Sequence, residues 1–180
     1  MVKITQIIII FLFMLSCAKI ENKNNLLIGY EKDHSHRGMS VVDTVRTQRI
    51  ITGDSIFYVT QIPKKNHVMK VRKSYHNDSI LVGQNVIFEL HKTKVYKING
   101  ANYTVYKYVY NDEQSSDEEE DIFFTDEYGV LYDRLWWFSY GSSYEYDLIS
   151  TKLVEYITSD TTGFFKEKIL PPPPKLNKDD

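Results

Sequence analysis

The chain has 180 residues and a single cysteine, Cys17. No disulfide can form within it, so whatever folds must be held by packing alone. It also lacks an excess of either charge: 22 Lys and Arg stand against 24 Asp and Glu, a formal net charge of −2. Without a basic stripe there is no electrostatic footprint for nucleic acid. No apolar run is long enough to span a bilayer, because the longest, residues 7–15, would rise only about 13–14 Å as a helix. Also missing are a Gly-x-Ser-x-Gly elbow, a Ser-x-x-Lys pair and a cysteine–histidine pairing, the usual sources of an activated nucleophile. No CxxC, HExxH or EF-hand spacing is present. His34-Ser35-His36 beside Asp33 offers two or three ligands with no placed partner, which is not a metal site. These absences predict no catalytic residues, no metal and no cofactor. An envelope glycan hydrolase, which would need two facing carboxylates that no local pattern selects, ranks last among the functions considered.

What is present begins at the first seventeen residues. Lys3 precedes the apolar run, which fits the hydrophobic region of a secretory signal. The run closes on Met14-Leu15-Ser16-Cys17, which resembles the lipobox of bacterial lipoproteins: an aliphatic residue, a small residue, then the cysteine. Met14 stands where Leu is usual, and the resemblance covers residues 1–17 alone. It implies that the Cys17 thiol is diacylglyceryl-modified, that the peptide before it is removed, and that the new amino terminus is acylated, for example with palmitate. The membrane is then the first partner, and the place of work is the bacterial cell envelope. Several acyl chains hold a protein durably where one holds it marginally. Ala18 rather than Asp after the cysteine leans toward the outer membrane. The alternatives are a plain secreted protein or an uncleaved helix with Cys17 there by accident.

The remaining organisation follows from composition. Residues 1–16 read as signal peptide, 17–25 as a lipidated polar tether, 26–169 as one β-rich domain, and 170–180 as a proline-rich polyproline-II tail outside the core. Ten of the fourteen tyrosines lie between Tyr96 and Tyr146, and such residues favour a pleated, half-buried surface. Strand-like runs broken by Gly or Asn/Asp every ten to fifteen residues or so predict a mostly β fold. That fold is an antiparallel meander forming either a curved open sheet or a barrel. Thr52-Gly53-Asp54 and Asn99-Gly100 mark hairpins. Residues 31–38 read as a loop, 141–143 as a turn, 144–149 as a strand, and 152–157 as a last strand or a short helix.

Two features suggest where the domain could act. The run Trp136-Trp137, with Tyr140 close by, could stack on a sugar ring or line a slot for an acyl chain. These three are the candidate ligand-binding residues. Residues 111–121 carry a dense run of carboxylates without the glycine and alternation of a calcium loop, and read as a solvated connection. The expected function is non-catalytic binding or scaffolding at the envelope, with an envelope protein, a glycan or a lipid as partner. The alternative is a carrier of a lipid or other apolar ligand on a curved aromatic-lined sheet.

Overall fold

The computed structural model describes residues 25–35, 38–110, 120–135 and 140–165. Cys17, Trp136, Trp137 and the proline-rich tail lie outside the described residues. Ten strands form one antiparallel meander: β1 (Asn25–Ser35), β2 (Gly38–Thr52), β3 (Ser55–Ile62), β4 (His67–Ser74), β5 (Ser79–Val82), β6 (Val86–Ile98), β7 (Ala101–Tyr110), β8 (Glu120–Thr125), β9 (Gly129–Leu135) and β10 (Tyr140–Glu145). The expected sheet closes: β1 pairs with β2 on one side and with β10 on the other, so no edge strand remains among the described residues. Closure removes the exposed backbone edge that an open sheet of this length would carry.

The turns that shape it are the ones the residues require. Asn99 and Gly100 both sit at positive φ, 52° and 85°, the combination a two-residue hairpin turn needs. Three bulges, at Glu31/Lys32, Leu90/Lys92 and Phe123/Phe124, bend the sheet toward closure.

Alternation sorts the side chains. Val45, Ile56, Tyr58, Val71, Phe88, Tyr108 and Phe124 point inward and form the barrel core. The rings of Tyr58 and Tyr108 meet Phe124 edge-on at 5.1 and 6.0 Å, so the middle of the barrel is filled. The opposite face of β7 to β9 carries Val105, Phe123 and Leu131, which α1 (Leu148–Thr158) and the segment after it cover. The helix turns Leu153, Val154 and Ile157 onto this face. Its start is fixed by a reciprocal cap: the Ser150 amide donates to Asp147 Oδ1 at 2.8 Å, and the Asp147 amide donates to Ser150 Oγ at 2.9 Å.

Several local expectations are corrected. Residues 31–35 belong to β1 rather than a loop, and residues 141–143 lie inside β10 rather than in a turn. Gly141 suits a strand because an added Cβ would stand 2.4 Å from the Asp133 carbonyl oxygen. The stretch 144–149 is divided between β10 and α1, and 152–157 is helical. Glu120 and Asp121, read as part of the solvated acidic connection, open β8, and Asp121 is buried. Charge density masked a strand whose second carboxylate has specific partners: Asp121 accepts from Arg134 and lies 3.5 Å from Lys107 Nζ.

Candidate functional site

The barrel has two unlike rims. At the proximal rim, where the described chain begins at Asn25, the turns β2–β3, β4–β5, β6–β7 and β8–β9 gather. Here polar inward groups are matched. Lys73 Nζ meets Asp126 Oδ1 at 2.6 Å and lies 3.8 Å above the Tyr106 ring. Arg49 Nε and Tyr58 Oη both donate to the Asp126 carbonyl, at 2.9 and 2.7 Å.

At the distal rim the inward positions are acidic. The register sets Glu31 of β1 opposite Asp43 of β2 and Tyr144 of β10. It sets Asp33 opposite Ser142, which in turn faces Asp133 of β9. Asp43 is satisfied by the amides of Thr44 and Lys64, at 2.7 and 2.6 Å. Asp133 accepts from Tyr144 Oη at 2.8 Å and from the Ser142 amide at 2.9 Å.

Glu31 is different. It is 2% exposed, and one oxygen takes Lys65 Nζ at 2.7 Å. Its other oxygen, Oε2, has no hydrogen-bond partner among the described residues, and neither has Asp33 Oδ1. A buried carboxylate oxygen left unmatched is costly, so its persistence points to a group that completes it.

The electrostatics agree. Burial pushes the Asp133 carboxyl up to about 6, an effect its bonds to Tyr144 and Ser142 only partly oppose and the nearby Glu31 charge reinforces. Burial, followed by repulsion from Asp133 and Asp121, pushes Glu120 up to about 7. Burial and the Asp133 charge hold the Tyr144 hydroxyl well above its usual range. The distal mouth thus gathers, among the described residues, more negative charge than the Lys65 cation offsets. Among the described residues no group of three or more His, Cys, Asp and Glu is placed to hold a metal ion.

Of the residues singled out in the sequence, Tyr140 lies at this mouth. It opens β10 opposite Leu135, and burial together with the Asp33 charge raises its hydroxyl. Trp136 and Trp137 fall in the connection from β9 to β10, outside the described residues. Sequence reasoning missed Glu31, Asp43 and Asp133, and weighed Asp33 only as a metal ligand beside His34 and His36. A signal was available: Glu31 and Asp33 are two apart, the spacing that puts two side chains on one face of a strand. His34 takes the outer face, its Nε2 2.8 Å from Ser143 Oγ and its ring 5.2 Å from that of Tyr132. Comparison with protein-family models, curated proteins and solved structures returned no match.

Proposed function

We propose that the chain is a lipid-anchored protein of the bacterial cell envelope, held through Cys17 in the outer membrane. Its barrel is a non-catalytic binding module that takes an organic cation at the distal mouth. The observation that carries the binding reading is the buried Glu31 carboxylate with one oxygen unmatched, beside Asp33 and Asp133. Charge-assisted hydrogen bonds from an ammonium group would complete both free oxygens. A carrier of apolar ligands is less well supported, because such a ligand would have to displace the rings that fill the barrel centre. A membrane-spanning barrel is disfavoured by polarity. Its outer face would be an apolar band, whereas Arg46, Gln48, Gln61, Lys70 and Arg72 point outward here. No helix among the described residues is long and apolar enough to cross a membrane.

The binding test uses the full chain with putrescine and spermidine as probes, read by thermal unfolding. A ligand that binds only the folded state raises the midpoint, so the wild type should respond and Glu31→Gln/Asp133→Asn should not. No response in the wild type, or an equal response in the variant or to sodium chloride of matched ionic strength, would sink the reading. Binding should also weaken as pH falls through about 7 and then about 6, where Glu120 and Asp133 become neutral. The ligand-free fold should move the other way. Glu120 binds its proton more readily folded than unfolded between its ordinary 4.5 and about 7, so its contribution to stability grows as pH falls across that window.

The anchor has its own test. Cys17→Ser should abolish incorporation of labelled palmitate, since a hydroxyl is not the thiolate nucleophile the modification needs. Label retained by the variant would exclude Cys17 as the attachment point.

A further inference from the structure

The barrel exterior is asymmetric. From β6 to β10 much of it is covered by α1 and the segment through Phe165, whereas β1 to β5 carry no layer among the described residues. On this uncovered half, alternation and register assign the outward positions, and none of them in β1 to β5 is Asp or Glu. The carboxylates that border it are Glu145 on β10, opposite Tyr30 and paired with Lys32 Nζ at 2.5 Å, Asp54 and Asp78 in the proximal turns, and Glu89 on β6. Arg46, Lys70 and Arg72 are outward and exposed. Among them lie apolar side chains open to solvent: Leu26 at 62%, Ile28 at 58%, Tyr30 at 57% and Val68 at 50%.

The groups are neighbours. Ile28 stands opposite Arg46, Arg46 opposite Gln61, and Gln61 opposite Val68. The next outward row runs Leu26, Gln48, Val59, Lys70. Strands about 4.8 Å apart, with about 6.8 Å between successive outward residues, put Arg46 and Lys70 roughly 12 Å from one another. Interleaved cations and exposed aliphatic or tyrosine side chains are the composition that binds the charged interface of a bilayer.

We infer that the outer wall of β1 to β5 is a docking surface for anionic lipid headgroups, on which the barrel lies on its side. Charge complementarity selects this occupant. A second copy of the chain would bring two positive walls together. The inference goes beyond the anchor, because a lipid on Cys17 or the apolar run at 7–15 would add equally to binding on charged and uncharged bilayers.

The full chain is therefore floated with vesicles of phosphatidylcholine alone and of phosphatidylcholine with phosphatidylglycerol. Wild type should prefer the anionic vesicles by tenfold to roughly 100-fold, the effect of three cations near such a surface. Arg46→Glu/Lys70→Glu/Arg72→Glu should lose the preference. So should the wild type in 1 M salt, which screens the attraction without altering the fold. Equal binding to both vesicles, or a preference that survives in the triple variant, overturns the inference. So does self-association without vesicles that the triple variant abolishes, since it would give the wall to a second copy.

Discussion

Asp121→Ala is expected to remove about 3–5 kcal/mol of stability, out of the total of about 5–15 kcal/mol typical of a domain. Asp121 and Lys107 are both 0% exposed, and Asp121 is the carboxylate that Lys107 and Arg134 both reach. The Arg134 guanidinium is in turn covered by the Phe165 ring at 4.7 Å. Truncation removes a buried counter-charge that the two cations share, and water can replace it only by opening the cover over β7 to β9. Urea unfolding followed by circular dichroism measures the loss, and a change below about 1 kcal/mol would contradict it. Exchanging Lys107, Asp121 and Arg134 together for apolar residues of similar volume should recover much of the stability, because the penalty lies in stranded charge. The same bond pattern means that a shortened β7–β8 connection is tolerable only if the cut stops before Asp121.

Gly29→Ala should be the most damaging of the small substitutions. Gly29 faces inward on β1, where the first strand meets the last. An added Cβ would stand 2.2 Å from the Glu145 carbonyl oxygen and 2.8 Å from the Tyr146 Cα. Both obstacles are backbone, so no rotamer change relieves the contact. Overpacking of side chains costs about 1–3 kcal/mol, and this clash should reach at least the top of that range by parting β1 from β10. Amide hydrogen exchange would find protection lost at Tyr30–His34 and Gly141–Glu145, the paired residues of this seam. Protection kept there, with an unshifted denaturation midpoint, would mean that the seam can widen without opening.

These two sites also show what could be read from the chain and what could not. The sheet and its hairpins were legible because their signals are local: alternation in β3 and β7, Thr52-Gly53-Asp54, and Asn99-Gly100. Closure was not, since the contact between Glu31 and Tyr144 has no neighbour-to-neighbour trace in the sequence. The second half of the first strand was hidden by its own polarity. Glu31 and Asp33 point into the barrel, where alternation leads one to expect apolar residues, so their polarity suggested a loop. At 152–157 the choice between a last strand and a short helix stayed open, because Asp147 and Ser150 cap the helix in a form that local pattern does not separate from a turn, and it is only eleven residues long. Tyr140 was singled out for its aromatic ring, while its place at the mouth comes from pairing with Leu135.

An even number of antiparallel strands returns a chain to the side from which it set out. Asn25 and the start of α1 accordingly share the proximal rim, where the Tyr128 hydroxyl holds Asp147 at 2.8 Å. The acidic mouth lies at the other end of strands such as the eleven-residue β1, about 30 Å away along an extended chain. Every connection at that far end joins an odd strand to the even one after it, and none leads to either terminus. Residues 111–119 and 136–139 are two of these connections. They can lengthen, shorten or change composition in a lineage without disturbing the opposite rim, where the proposed tether would join. On the proposed reading, selection could therefore retune what the mouth accepts while an attachment at the opposite end stays fixed.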